Sequence, residues 1–390
     1  MSNYKEDTMK LSRRKAIGLI GGGAILAATG AVGYSVTRTP QNALAPWEAA
    51  GNYTEIRRRA LSFALLAPNP HNRQPWMVDL VGDDEVVLYV DTTKLLPMTD
   101  PFSRQITIGL GCFLEVMRLS AAEAGYQVDL TLFPEGEDEH ALNDRPVARA
   151  VFKADPNVKR DPIFAHVMER RSLKEPYDTE RPVAADVLGI LAANAISGTR
   201  FGGSVDAADI AQYRALSHEA LRIEIETPRT YQESVDLFRI GHREIDANPD
   251  GIDFSGPLFE SLGLFGLFTR ASAVDKESSA YKAGLDAVYA NTDTAMGHIW
   301  LITSTNTRRD QIAAGADWVR VNLAATGIGL AMQPLSQALQ EYPEMATLYA
   351  DIHKRLAPEA GTVQMFARIG YGPKTGPSPR WPLETKFVRT

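Results

Sequence analysis

Two short stretches carry residue types suited to a flat ligand bearing a phosphate. The first is Ala67-Pro68-Asn69-Pro70-His71-Asn72-Arg73-Gln74-Pro75-Trp76. Its prolines fix φ and remove backbone donors, so the segment is a stiff loop. Carboxamides held beside a Trp suit a flat partner with hydrogen-bonding edges. The second is Arg170-Arg171-Ser172-Leu173-Lys174, which packs cations and a hydroxyl into one turn of chain. A phosphate monoester wants such a set: charge-assisted Arg bonds, a hydroxyl donor and a nearby ammonium. Each stretch also has an ordinary reading. The first can be a Pro-rich helix-to-strand turn, the second a solvated basic patch at a helix C-terminus, where cations are favourable anyway.

The rest of the chain excludes other chemistries. It is 44% hydrophobic and 23% charged, a soluble globular composition, with a net charge of -7 and no basic block in its body. Nucleic acid is therefore not an expected partner. The single cysteine, Cys112, rules out an intramolecular disulfide and a Cys-rich metal site. Its apolar surroundings point to a buried structural thiol. The seven histidines lack metal-ligand spacing, so no metal is expected. Neither a G-x-S-x-G elbow nor a P-loop is present. Gly109-Leu110-Gly111 and Gly327-Ile328-Gly329 stop short of a dinucleotide-binding fingerprint.

The N-terminus carries a targeting pattern. Ser12-Arg13-Arg14-Lys15 precedes a Gly- and Ala-rich apolar run, residues 16–32. That is a twin-arginine leader: paired Arg, a modest apolar core, then a polar linker. Ala43-Leu44-Ala45 matches a cleavage site, but Pro46 follows directly and no cysteine is available for lipidation. The segment is thus removed or kept as an N-terminal anchor.

Periodicity predicts the elements that position the two stretches. A helix over 53–66 precedes the loop, with Arg57, Arg58 and Arg59 on a solvated face. A hairpin follows, split by Gly82-Asp83-Asp84. A long apolar helix spans 104–124, with strands near 128–133 and 148–152. Residues 163–170 read as helical and run into the Arg pair. Helices are expected over 184–195 and 207–226, a strand at 201–205, another at 299–303, a buried helix over 311–326 and a last strand at 363–369. The apolar run 254–268 is either a lid over a pocket or ordinary core.

Taken together, these pieces resemble a family. The order Ala-Pro-x-x-x-Asn-x-Gln-Pro-Trp (67–76), Arg-Arg-Ser-x-Lys-x-Pro (170–176), the segment 327–337 and Ile369-Gly370-Tyr371-Gly372 with Arg380 is similar to the FMN-dependent nitroreductase-like superfamily. More narrowly it resembles the Acg-type branch, in which one chain is internally duplicated, here with a twin-arginine leader. The resemblance covers about residues 53–385. It implies an α+β nitroreductase-like fold, a pseudo-dimer of two related halves with helices packed around antiparallel or mixed sheets. Residues 1–35 would be signal or anchor, 36–52 linker, 53–155 the first half and 156–390 the second, with a lid-like insert at about 228–295.

In ordinary members the Arg-Arg-Ser motif precedes the loop motif, and each flavin is shared between two subunits. Here each half lacks the part that the other keeps. One chain would therefore hold one complete FMN site and need no homodimer. By the resemblance, Arg170, Arg171, Ser172 and Arg380 hold the phosphate. Lys174 reaches the pyrimidine edge. Asn69, Pro70, Asn72 and Gln74 line one face, and the backbone at Gln333 and Pro334 approaches the redox edge. The family usually has Ser near Asn69 and Arg where Lys174 stands.

The function this implies is an oxidoreductase passing electrons from a small-molecule donor through FMN to a nitro compound or quinone. The alternative is a flavin-binding or storage protein with a closed lid and little turnover. The leader implies export by the twin-arginine machinery, to the periplasm or to the outer face of the cytoplasmic membrane. NAD(P)H is not expected there, which leaves the donor open.

Overall fold

The computed structural model describes residues 39–388. The paired arginines and the apolar run 16–32 lie outside the described residues. The stretch 36–52, expected as linker, contains a helix, α1 (Gln41–Ala49), with Ala43 and Trp47 buried.

Helix α2 (Ile56–Ala64) follows, with Glu55 capping the amides of Arg57 and Arg58. Its three arginines are not a uniform solvated face. Arg57 is buried, and its guanidinium donates to the carbonyls of Val81, Gly82 and Glu85. It therefore pins the turn between β1 (Trp76–Val81) and β2 (Glu85–Val90), which pair antiparallel from Trp76↔Val90 to Val81↔Glu85. Helix α3 (Arg104–Glu123) is buried almost all round, as its apolar composition requires. Strands β3 (Tyr126–Leu132) and β4 (Ala148–Ala154) complete an antiparallel sheet of order β1-β2-β4-β3.

The chain then builds a second four-stranded sheet. Residues 163–170, expected as helix, form only a 3-10 turn at Pro162–His166 before the Arg pair. Helix α4 (Asp186–Ala192) leads to β5 (Arg200–Ser204). The place of the hairpin turn is taken by a long excursion. It runs through α5 (Ala207–Glu226), α6 (Pro228–Asp236), β6 (Phe238–Ile240), α7 (His242–Ala247), β7 (Ile252–Phe254), α8 (Pro257–Leu264), α9 (Arg270–Val274) and α10 (Ser279–Asp293). The chain then returns through β8 (Gly297–Thr303), α11 (Arg308–Gly327), β9 (Ala331–Pro334), α12 (Ala346–Leu356) and β10 (Thr362–Gly370). The second sheet has order β5-β8-β10-β9, also antiparallel throughout. Counted within each half, both sheets read first, second, fourth, third strand, with the long helix between second and third.

Helices α3 and α11, each 20 residues, pack on one another as the centre of the molecule. A Cβ on Gly111 would stand 2.3 Å from the carbonyl oxygen of Ile312, and one on Gly315 would stand 2.0 Å from that of Ile108. Each glycine follows its own isoleucine by three residues. The contact is reciprocal, as across a two-fold axis. Cys112 lies at this crossing, its thiol donating to the Gly315 carbonyl at 3.1 Å, and burial pushes its pKa up to about 12. It is a packing thiol. Gly111→Ala or Gly315→Ala should force the helix axes apart and cost about 3 kcal/mol, the upper range for overpacking. Urea unfolding of either variant checks this, and parent-like stability would mean the helices do not cross there.

The run 254–268 is split between core and surface. Phe254, Phe259 and Phe268 cluster with Phe238, with ring centroids 4.7 to 6.2 Å apart. Leu258, Leu264, Phe265 and Leu267 project outward.

Candidate functional site

The loop 67–76 leaves α2 and is held by its own side chains. Asn69 Oδ1 accepts the amide of Gln74 at 2.7 Å, closing the loop on itself. Pro70–Asn72 is a 3-10 turn. His71, Asn72 and Gln74 have φ of 47°, 51° and 50°. Non-glycine residues rarely adopt the left-handed region, and strain of this kind concentrates at ligand clamps. The loop also lies hard against α3, where a Cβ on Gly109 would stand 3.1 Å from Asn69 Cβ and 3.2 Å from Pro70 Cδ.

Beneath the loop sit buried cations. Arg170 and Arg380 are 4% and 2% exposed. Both donate to one carbonyl, that of Leu66, at 3.1 and 3.2 Å. Arg380 also donates to Asn72 Oδ1 and to the carbonyls of Ala67 and Pro379. Arg171 lies 4.4 Å over the Trp47 ring, and Arg380 lies 5.7 Å from it. Arg170 Nη1, Arg171 Nε and Arg380 Nε are buried without a hydrogen-bond partner. Among the described residues no carboxylate forms an ion pair with any of the three. Burial, then the neighbouring Arg171, pushes the Arg170 pKa down to about 10. Burial, then Arg170, pushes that of Arg380 down to about 9, with Asp253 opposing. Arginine does not surrender its proton near neutral pH, so these shifts reflect first the cost of burying the charges and then their mutual repulsion. An anion would relieve it.

The structure thus brings Arg170, Arg171, Arg380, Asn69, Pro70 and Asn72 to one place. Ser172 is half-buried beside them. The amide of Leu173 donates to the Met332 carbonyl at 3.1 Å and stitches this segment to the edge of β9, next to Gln333 and Pro334. Lys174 is exposed, yet close enough to act on His71. The carboxamides of Asn69 and Asn72 are engaged within the loop and its surroundings, Asn72 Nδ2 donating to the Pro379 carbonyl at 3.0 Å, and the side chains of Gln74 and Gln333 are also taken. Gln74 is fully buried, donating to the Pro249 carbonyl at 2.7 Å and accepting from the Trp381 amide at 2.8 Å. Gln333 Oε1 accepts from Arg368 at 2.6 Å. Arg368 stacks on Tyr177 and donates to the carbonyls of Leu173 and Glu175, bracing the cationic segment.

Sequence reasoning did not single out Trp47, Arg368, His71 or Asp250. His71 Nε2 lies 3.1 Å from Ser234 Oγ of α6. Burial, with Lys174 and Arg73, pushes its pKa down to about 4, so it is neutral at pH 7. The excursion meets the loop elsewhere too, through Pro249 on Gln74 and the Gly251 amide on the Asn72 carbonyl at 3.3 Å. Asp250, 1% exposed, accepts from Lys94 at 2.6 Å and Arg239 at 2.8 Å, with Arg73 at 3.6 Å. Burial alone would raise its pKa, but those cations leave it below the usual carboxylate value. The C-terminal tail closes the remaining side. Lys386 Nζ donates to the Gln74 carbonyl at 3.0 Å, and Phe387 bridges to Val78 of β1.

Within the same excursion, Glu224 of α5 accepts from Gln340 at 3.0 Å, and burial pushes its pKa up to about 7. A raised carboxyl pKa favours the folded state most below the ordinary value. That stability is lost as pH rises through about 7. Glu224→Gln should melt like the parent at pH 5 and be more stable at pH 8, by up to about 3 kcal/mol. Melting curves at the two pH values check this, and an equal offset at both would contradict it.

No family model matches the chain. It is similar to "Putative NAD(P)H nitroreductase acg" of Mycobacterium tuberculosis, 26% identical over 349 residues, covering 86% of this chain and 96% of the relative. "Putative NAD(P)H nitroreductase Rv3131" of the same organism is 24% identical and covers 85% and 92%. The chain is therefore related along most of its length to proteins bearing that name. Among solved structures, a nitroreductase-named protein from Anabaena variabilis covers 79% of this chain and 82% of its own at a TM-score of 0.39 and 11% identity. The FMN-dependent nitroreductase NfnB of Mycobacterium smegmatis, in complex with NADPH, covers 58% and 98% at a TM-score of 0.34 and 18% identity.

Proposed function

We propose that this chain is an FMN-binding, nitroreductase-like oxidoreductase, a pseudo-dimer of two related halves that together hold one flavin. The observation carrying this reading is the buried, uncompensated cluster of Arg170, Arg171 and Arg380 under a strained amide loop. A phosphate monoester, with about -1.5 to -2 charges and strong acceptor oxygens, fits that cluster and would take the three orphaned N–H groups. Ser172 would add a hydroxyl. Lys174 would hold positive charge at the pyrimidine edge, with Asn69, Pro70 and Asn72 along one face and the backbone of Gln333 and Pro334 near the redox edge. Bound FMN supplies hydride-accepting, two-electron chemistry. The chain's own part is to fix the ring, place charge and exclude water. Neutral His71 adds no second cation to the loop face.

Donor and acceptor are small molecules, a nitro compound or quinone on the acceptor side. The leader takes the folded, loaded monomer through the twin-arginine machinery, to the periplasm or the outer face of the cytoplasmic membrane. A second reading, flavin storage, is favoured by one observation. The excursion is seated on the loop through Ser234, Pro249 and Gly251, which restricts access. Anaerobic reduction separates the two. Bleaching by NAD(P)H or a quinol, followed by turnover of a nitroaromatic or quinone, supports the enzyme. Bleaching by a small chemical reductant alone supports storage.

A further inference from the structure

The excursion that covers the site carries an apolar tip on which nothing among the described residues is packed. Leu264, Phe265 and Leu267 are 78%, 74% and 62% exposed, and Leu258 beside them is 49% exposed. Residues 261–269 carry no charge. Glu260, the nearest acid, is occupied by the amide and Nδ1 of His242. Soluble surfaces tolerate scattered apolar side chains, but a contiguous uncharged apolar tip marks a contact surface.

The chain itself indicates what covers this tip. The apolar run 16–32 ends only seven residues before Thr39, a reach of about 25 Å even fully extended. From there α1 docks on α7, where the Ala43 amide donates to Asp246 at 2.9 Å. Helix α7 is tied to α8 through His242 and Glu260 at 2.9 Å. Leu264 lies one helical turn beyond Glu260, about 6 Å along the axis. The described chain therefore enters the fold beside the elements that carry the bare tip, within a short tether of segment 16–32.

We propose that this tip is a membrane-contact surface, in which Leu264, Phe265 and Leu267 enter the interfacial zone of the bilayer that holds segment 16–32. Apolar side chains in an uncharged turn partition there in the manner of an interfacial anchor. The site cover is then a membrane-facing element. The inference uses the anchor half of the export reading above and is independent of flavin binding.

The test uses the full chain with Phe265→Cys carrying an environment-sensitive fluorophore, Cys112 being buried and unreactive. Asp83→Cys, in the turn between β1 and β2, is the remote control. Phosphatidylcholine and phosphatidylglycerol vesicles containing nitroxide lipid are added. The label at 265 should brighten about threefold and be quenched by the nitroxide, while the label at 83 stays unchanged. The proposal is overturned if the 265 label remains as in water, whether the vesicles bind the protein elsewhere or do not bind it at all. It is equally overturned if that label is already shielded without vesicles. Shielding that depends on protein concentration would identify a second copy, and shielding that does not would identify the chain's own segment 16–32. Flavin absorbance of the same samples is read separately, so a colourless protein would count against the flavin reading and not against this one.

Discussion

Arg170→Met should lose FMN while leaving the flavin-free protein as stable as the parent. The two halves of that expectation come from one environment. Among the described residues the Arg170 side chain makes a single hydrogen bond, to the Leu66 carbonyl, and Arg380 already serves that acceptor. Removing Arg170 therefore strands no acceptor and relieves the repulsion it exerts on Arg380. A phosphate in the cluster would lose a charge-assisted bond worth about 2–3 kcal/mol, or about 30- to 150-fold in affinity. Titration of flavin-free protein with FMN, beside thermal melts without ligand, measures both. Unchanged affinity would remove Arg170 from the site. A large fall in ligand-free stability would instead make it a structural residue.

The second large effect is expected at Asp250. Asp250→Asn leaves Lys94, Arg73 and Arg239 without their shared carboxylate. Breaking a buried pair on one side costs about 3–5 kcal/mol. Two of those cations belong to the body and one to the excursion, so the cost falls on docking rather than on the central helices. Amide exchange should quicken across residues 228–295 and stay parent-like in α3 and α11. Slow exchange throughout would show that the cover is held by Gln74, Asn72 and His71 instead. The latch also has a pH sign. The Asp250 pKa is depressed in the folded state, so its contribution is present above the ordinary carboxylate range and is lost as pH falls through the depressed value.

Much of this architecture was legible where local rules and tertiary packing agree. Gly82-Asp83-Asp84 between alternating strands marks the hairpin, and Asp206 caps a helix that runs from Ala207 to Glu226 as expected. The run that became α3 was found because it is apolar on nearly every side, and α11 because Ile312, Gly315, Ala316, Val319 and Leu323 share one face. Helix α1 was not legible, since it contains Pro46 and is held by distant partners, the Trp47 indole on Ser378 and the Ala43 amide on Asp246. Strand β9 is four residues long and includes Pro334, so only its pairing with β10 defines it.

The site followed the same division. The Pro-rich loop and the Arg-Arg-Ser segment are compact motifs, and the chain does fold them against each other. The uses of Gln74 and Gln333 could not be seen, because their partners are the Pro249 carbonyl, the Trp381 amide and Arg368. Trp47 under the guanidinium groups and Asp250 among its cations likewise gain meaning only from long-range contacts.

The most direct test is the flavin stoichiometry of the purified full chain, with its mass in solution. A yellow monomer carrying one FMN per chain is expected, or a colourless one that takes up a single equivalent of added FMN. A protein that neither retains nor takes up FMN, or one that binds it only as a dimer, would contradict that expectation.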